Sequence, residues 1–309
     1  MTTPRTALVT GANQNLGRSL VAGLAAGMTP ADRVLLTGRH PDRVTAAARE
    51  LAATIVNAAV IEPRVLDVRN PQAIRTLAEE LGEADIVFSN ATSRMSPDAD
   101  PPDEVDAVAD TNNIATITIL REFAPRMRPG GRLIVVASAL GTLDKLADHV
   151  RPRFADAAAD GLDAVERLVE EWRASVTAGR AVEDGFGTWL NIPSKVAQLA
   201  AVRAVAAVRR ADDLRAGILL MGLCPGLIDT AASRPWFADM SAAQTPDQAA
   251  AWPVELALAD EFDPAYYGEL VQFGTVLPWE SGVAVPHRAG AGAPPTEAAQ
   301  AGTVQKPRG

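Results

Sequence analysis

The sequence predicts an α/β fold, a doubly wound parallel sheet with helices on both faces, from three observations. Short runs such as Val34-Leu35-Leu36 and Leu133-Ile134-Val135-Val136 are apolar throughout instead of alternating, as strands covered on both faces must be. Segments with apolar residues at helical spacing separate these runs, so strand and helix alternate along the chain. The first run ends in a glycine-punctuated turn with a helical pattern directly behind it, in Ala7-Leu8-Val9-Thr10-Gly11-Ala12-Asn13-Gln14-Asn15-Leu16-Gly17-Arg18.

That turn is where a phosphate-bearing ligand is expected. The N–H groups that open a helix lack intrahelical partners and its positive dipole end attracts anions, so a turn of small residues leads a pyrophosphate onto it. Gly11 supplies the tight turn and Gly17 the close approach of helix to strand, which makes the stretch a candidate Rossmann-type dinucleotide-binding loop. A purely structural β–α turn is the alternative. Asn15 stands where such loops usually carry a glycine, and asparagine is one of the few other residues that tolerate a positive φ.

The second strand is expected at Arg33-Val34-Leu35-Leu36-Thr37, with helical spacing resuming through Val44, Ala47 and Leu51. Ala59-Val60-Ile61 with Val65-Leu66 reads as a third strand closed by Asp67, followed by a helix over 71–81 and a fourth strand over 85–90. A long helix from Glu104 to Met127 is expected before the strand 132–138. From about 142 to 188 a largely helical insertion interrupts the alternation. Leu162, Val165, Leu168, Val169, Trp172 and Val176 share one helical face there, and Glu166, Glu170 and Glu171 lie off it. The helix that carries Lys195 is expected from about Ile192 to Arg210, then a strand over 217–223, a loop with Trp236 and Phe237, a helix from about Pro246 to Leu258, and a last edge strand around 269–273.

At 309 residues and 48% hydrophobic content the chain can bury one large core, and it is read as a single dinucleotide-binding domain over 1–280. Ala, Gly and Pro dominate 281–309, which predicts a disordered tail. A net charge of −9 argues against nucleic acid as partner. Cys224 is the only cysteine, so no internal disulfide is possible and a reducing, cytoplasmic compartment is expected. No apolar run has the length of a membrane span, so no membrane partner is expected, and Met1 to Arg5 lacks the organisation of a signal peptide.

Further motifs appear in a fixed order: Asp67-Val68, Ser89-Asn90-Ala91-Thr92, Asn112 in Thr-Asn-x-x-x-Thr, Ser138, Lys195 and Pro225-Gly226 with Thr230. Together with the first turn they resemble the short-chain dehydrogenase/reductase family over roughly residues 5–280, and most closely its carbonyl reductase branch, whose members carry a long helical insert between the serine and the lysine. The resemblance implies that Gly11, Asn13, Gln14, Asn15, Leu16, Gly17, Arg39, Asp67, Val68, Asn90, Ala91, Lys195, Pro225, Gly226, Ile228 and Thr230 bind the cofactor. Arg39 follows the second strand, where relatives that bind NAD carry an acidic residue for the ribose; a guanidinium there pairs instead with a 2′-phosphate, which favours NADP(H). Asp67 is expected to accept from the adenine amino group. A monomer is also implied, because the inserted helices cover the surface on which many relatives associate.

In the resembled reaction a tyrosine donates a proton to the carbonyl that receives the hydride. Ser138 would hold the carbonyl oxygen, Lys195 would lower the tyrosine pKa and bind the ribose, and Asn112 would keep a water in place. The tyrosine itself is missing: in Asn191-Ile192-Pro193-Ser194-Lys195 its position holds Asn191, and the two tyrosines of the chain, Tyr266 and Tyr267, lie far along the sequence. A carboxamide can donate a hydrogen bond but carries no proton of suitable pKa. General acid catalysis contributes roughly 10²–10⁴-fold, so activity can survive its loss. Asp184, His149, Asp144 or a water held by Asn112 and Lys195 remain as other proton donors. Trp189, Met95, Leu140, Trp236 and Phe237 would suit a bulky, flat, apolar substrate, and Cys224 reads as a small apolar core residue. The expected activity is an NADP(H)-dependent reduction of a bulky carbonyl, quinone-like or conjugated small molecule. A non-redox isomerase, lyase or cyclase with structural cofactor, or a catalytically silent NADP-binding protein, are the alternatives.

Overall fold

In the computed structural model, residues 3–281 are described; the expected tail lies outside them except for Ser281. The chain alternates as the sequence predicts: β1 (Thr6–Val9), α1 (Asn15–Gly27), β2 (Arg33–Gly38), α2 (Pro41–Thr54), β3 (Val60–Val65), α3 (Pro71–Leu81) and β4 (Ala84–Ser89). Proline at the first helical position starts both α2 and α3, where a missing N–H costs nothing. Asn70 caps α3 by accepting from the N–H groups of Gln72 and Ala73.

The expected helix from Glu104 to Met127 is broken into pieces. α4 (Pro101–Val108) runs into a π-helical turn over Ala109–Ile114, α5 (Ala115–Phe123) follows, and a 3₁₀ turn over Ala124–Arg126 leads into β5 (Met127–Val136). That strand starts earlier than expected because its first residue pairs with Ala84 before Pro129, Gly130 and Gly131 interrupt the register; regular pairing resumes at Arg132 against Ile86. Pro129 has no N–H to give the ladder.

The insertion contains α6 (Arg151–Asp160) and α7 (Leu162–Thr177). Val165, Leu168, Val169, Trp172 and Val176 are buried, and Glu170 and Glu171 are exposed, as the stripe predicts. α8 (Asn191–Arg215) packs against both insertion helices and against α5. β6 (Leu219–Leu223), α9 (Pro246–Leu258), β7 (Leu270–Gln272) and β8 (Thr275–Leu277) complete the chain. Thr245 and Gln248 form a capping box at the start of α9.

All eight strands join one sheet in the order β3-β2-β1-β4-β5-β6-β7-β8, parallel except for β8. The order reverses between β1 and β4, and ligands of such sheets bind in the crevice outside the carboxyl ends of those strands. Two expectations are corrected at the edges. The segment around Glu269–Phe273 is not the last strand: Phe273 and Gly274 both take positive φ, 49° and 74°, and turn the chain back as β8. At the opposite edge β3 is not a covered apolar run, since Val60 and Val65 are exposed around Glu62, Pro63 and Arg64; the proline and the charges discourage pairing with another sheet. Among the described residues no helix is long and apolar enough to cross a membrane.

Arg132 is buried where β5 becomes regular, with no carboxylate bonded to it among the described residues. Its guanidinium donates to the carbonyls of Gly130 (2.6 Å), Gly131 (3.0 Å) and Gly217 (3.0 Å), and to those of Leu256 (3.4 Å) and Ala259 (2.8 Å) at the end of α9. It thereby satisfies carbonyls that the end of a helix leaves without partners. Arg132→Ala should lower stability by more than about 3 kcal/mol, because several buried acceptors lose their donor together; urea unfolding with an unchanged m-value is the measurement.

Candidate active site

The turn after β1 forms as the sequence predicts. Gly11 has φ 62° and a Cβ there would lie 2.8 Å from the Cα of Ala91; a Cβ on Gly17 would lie 2.6 Å from both the Gly11 carbonyl and the Asn90 carboxamide nitrogen. Asn15 takes the positive φ, 49°, and opens α1. Gln14 precedes it with no side-chain cap, so the first N–H groups of α1 remain available to a ligand. The turn is stitched to the end of β4: Asn90 Nδ2 donates to the Thr10 carbonyl (2.8 Å), and the N–H groups of Asn90 (2.9 Å) and Ala91 (3.0 Å) donate to Thr10 Oγ1. Asn90 thus shapes the cradle through both its carboxamide and its N–H, and Ala91 through its N–H. Leu16 and Val68 are buried, and the side chain of Asn13 lies against Gly38. Shallow backbone, free N–H groups and absent Cβ atoms fit a pyrophosphate.

Arg39 is exposed beyond β2 and donates from Nε to His40 Nε2 (3.1 Å). Asp67 is already engaged: both its oxygens accept from the guanidinium of Arg69, at 3.1 and 2.7 Å, and the Arg69 N–H adds a third bond. These bonds hold its carboxyl below the usual range, and the charge of Arg39 acts in the same direction. Arg69 therefore belongs to this rim, which the sequence reading missed because nothing in its spacing separates it from a surface arginine.

On the other side of the crevice, Ser138 ends the extension of β5 and caps the 3₁₀ turn Ala139–Gly141, its Oγ accepting from the Leu140 N–H (3.3 Å). Asn191 is the first residue of α8, half-buried, one helical turn before Lys195. Lys195 is buried, 7% exposed, and its ammonium donates to Gln198 Oε1 (2.8 Å) and the Val136 carbonyl (3.4 Å). Burial lowers its pKa from the ordinary 10.5 to about 8, and the neighbouring Cys224 acts weakly the other way. Cys224 is a core residue as expected, but it also faces Lys195. Burial pushes its thiol pKa up, while N–H groups of Gly226 and Ala139 and the charge of Lys195 oppose that rise.

Asn112 lies in the π-helical turn, fully buried. Its Oδ1 accepts from Thr92 Oγ1 (3.1 Å) and the Ser93 N–H (2.8 Å), and its Nδ2 donates to Ser194 Oγ (3.1 Å). The side chain joins three segments of protein. Asn113 adds a bond from Nδ2 to the Ser194 carbonyl (2.7 Å). π-helical turns frequently mark functional sites, and this one brings both asparagines against the start of α8.

Neither tyrosine reaches this floor. Tyr266 donates to the Gly274 carbonyl (3.1 Å), and Tyr267 is buried with its hydroxyl on Asp213 Oδ2 (2.6 Å), burial and that carboxylate raising its pKa far above normal. Asp213 sits about 27 Å along α8 from Lys195 at 1.5 Å per residue. Asp184 is held by Ser175 Oγ (2.7 Å) inside the insertion, and Asp144 pairs with Lys145.

After β6, Gly226 takes φ 78° and its neighbour Pro225 accepts from Gln244 Nε2 (3.1 Å). Ile228 forms a bridge with Gln244, and Thr230 is engaged with Ser233. In this loop Trp236 stacks on Trp189 at 5.6 Å and 29° between planes, while Met95, Leu140 and Phe237 are half-buried. Gln198, Thr116 and Ser194 are site residues that sequence reasoning missed. For Gln198 a signal existed: it is the one polar residue in Val196-Ala197-Gln198-Leu199-Ala200-Ala201-Val202, and buried polar groups need partners.

A family model described as short chain dehydrogenase matches residues 5–147. The chain is 30% identical over 291 residues to rat carbonyl reductase [NADPH] 3, covering 89% of this chain and 98% of that protein. It belongs to the short-chain dehydrogenase family, in its carbonyl reductase-like branch. Mouse carbonyl reductase [NADPH] 1 is similar at 28% identity, with 88% and 98% of the two chains covered. Among solved structures of the family fold, salutaridine reductase from Papaver somniferum aligns with a TM-score of 0.69 at 18% identity over 86% of this chain and 99% of that one. NADPH-bound carbonyl reductase from chicken fatty liver aligns at 0.59 and 18%, over 89% and 93%.

The buried ammonium of this short-chain dehydrogenase has a consequence for stability. Below pH 8 Lys195 is charged in both states and the folded state bears the full burial penalty; above 10.5 it is neutral in both and the penalty is gone. Relative to Lys195→Met, the wild type should therefore gain about 3 kcal/mol between these pH values, with the variant the more stable at pH 7. Denaturant titrations of both proteins across that range provide the check.

Proposed function

We propose that this chain is an NADP(H)-dependent oxidoreductase that reduces a bulky carbonyl, quinone-like or conjugated small molecule without the family tyrosine. What supports the reading is that the Lys195 ammonium reaches the Val136 carbonyl two residues before Ser138, that Asn191 lies one helical turn before Lys195, and that the turn after β1 fits a dinucleotide. The names of the similar carbonyl reductases state NADPH, and Arg39, with Arg69 nearby, supports a phosphate-bearing ribose.

The turn with Gly11, Asn15 and Gly17 would hold the reduced cofactor, which would supply the hydride. Ser138 Oγ accepts from Leu140, which leaves its own hydrogen to donate to a substrate oxygen in the cleft. Asn191 adds a second donor for that oxygen without releasing a proton. Lys195 is the acid whose proton affinity suits neutral solution, and it recharges from the solvent after each turnover. Substrates whose reduced oxygen or carbon is a tolerable anion ask least of such a site, which favours quinones and conjugated carbonyls over simple ketones. The stacked Trp189 and Trp236 with Met95, Leu140 and Phe237 suit a flat apolar body.

NADPH should bind more tightly than NADH, and Arg39→Glu should erase the preference by removing a charge-assisted pair worth about 1.5–3 kcal/mol. Equal affinities of the wild type in fluorescence titrations overturn the assignment of Arg39.

Asn191→Tyr should raise reduction of simple ketones by a part of the roughly 10²–10⁴-fold that general acid catalysis supplies, and change quinone reduction little. Loss of NADPH absorbance with a panel of both substrates measures it. A soluble, NADPH-binding variant without gain on any ketone counts against the reductase. Product formed while NADPH absorbance stays constant would mean a non-redox activity.

A further inference from the structure

Resting on the reading of Lys195 as the acid of the site, we propose that Gln198 is its positioning residue, a neutral counter-group that fixes the ammonium and holds its proton. Gln198 is 1% exposed and stands three residues after Lys195 on α8. A buried carboxamide is costly unless its donor and acceptor are both satisfied, and here they are satisfied in one orientation only. Thr116 Oγ1 donates its single hydrogen to the Asn112 carbonyl at 2.6 Å, so towards Gln198 it can only accept. Gln198 Nε2 must therefore face Thr116 (3.1 Å), and Oε1 must face the ammonium (2.8 Å). The flipped amide would set N–H against N–H on one side and oxygen against a hydroxyl whose hydrogen is engaged on the other. A chain of three buried bonds thus aims a carbonyl dipole at Lys195 from the same π-helical turn that carries Asn112.

The surroundings of Lys195 contain no anion among the described residues. α8 gives Gln198, β5 gives the Val136 carbonyl, and the end of β6 gives Cys224, whose buried thiol stays protonated at neutral pH. Two neutral acceptors therefore hold the proton against desolvation. The residue itself is unusual in this chain, which has three lysines, Lys145, Lys195 and Lys306, among 29 basic residues. Arginine, preferred elsewhere, does not give up a proton.

The test is the titration of the Lys195 ε-nitrogen by NMR in ¹⁵N-lysine-labelled full-length protein, assigned with Lys145→Arg and Lys306→Arg, alongside the pH profile of kcat for a quinone. Gln198→Leu should move the midpoint down by about one to two pH units, since a hydrogen bond to the charged form is lost. Gln198→Glu should move it up by at least about one unit, since a carboxylate favours the ammonium. The alkaline fall of kcat should follow each shift with KM little changed. Thr116→Val, which releases the carboxamide without touching Lys195, should move the midpoint in the same direction as the leucine variant and by less, and it serves if that variant does not fold. An unchanged midpoint in the glutamate and valine variants would overturn the proposal and leave Gln198 as packing. Midpoints that move while the kcat profile stays would support Gln198 as the holder of Lys195 and overturn the catalytic reading beneath it.

Discussion

The carboxamide of Asn112 is the joint on which the cleft is assembled. Its oxygen takes two donors from the loop after β4 and its nitrogen reaches Ser194, so three segments distant in sequence share one buried group. The π-helical turn makes this possible, since the extra residue redirects a helix that would otherwise aim Asn112 elsewhere. The first turns of α8 are tied to that joint through Ser194, and Lys195 and Gln198 follow on the same helix, Gln198 bonded to Thr116. Because each member is buried, a missing partner is expensive, and the network admits few arrangements.

Legibility in the sequence followed the range of the forces involved. The turn after β1, α3 and α9 could be read because their causes are local: glycine at a positive φ, proline at the first helical position, and an asparagine or threonine cap. The alternation of elements followed from apolar patterning alone. What escaped was set by contacts across the fold. The break at Ala109–Ile114 is invisible in a stretch with continuous helical spacing, and the β7–β8 hairpin turns on Phe273, a residue that propensity excludes from a positive φ. The family motifs located Ser138, Asn191 and Lys195, whereas Arg69 and Gln198 belong to no motif and became visible only through their partners.

The two sides of the crevice are built on different principles. On the cofactor side the main chain does most of the shaping, and side chains matter chiefly by being small or by bonding back to the turn, as Asn90 does. Across the crevice the side chains of Asn112, Ser194, Thr116, Gln198 and Lys195 do the shaping, buried and bonded to one another. Electrostatics divides in the same way: exposed guanidinium groups gather at the rim around Asp67, and one desolvated ammonium stands at the floor.

If Lys195 is the acid of the site, as proposed, a neutral partner for that ammonium fits what the missing tyrosine leaves behind. With a phenol at 191, a permanently charged lysine is useful, because its field lowers the phenol pKa and the phenol moves the proton. With asparagine there, a permanent charge can attract an oxygen but cannot neutralise it. A carboxylate at 198 would hold the proton more tightly, and an apolar residue would bring its release down to neutral pH or just below. A carboxamide, locked by Thr116 with its oxygen towards Nζ, leaves the lysine near 8, charged in neutral solution and still able to let the proton go. On the proposed reading the loss at 191 and the polar residue at 198 are parts of one arrangement, in which the stability forfeited by burying the charge is the condition for its reactivity.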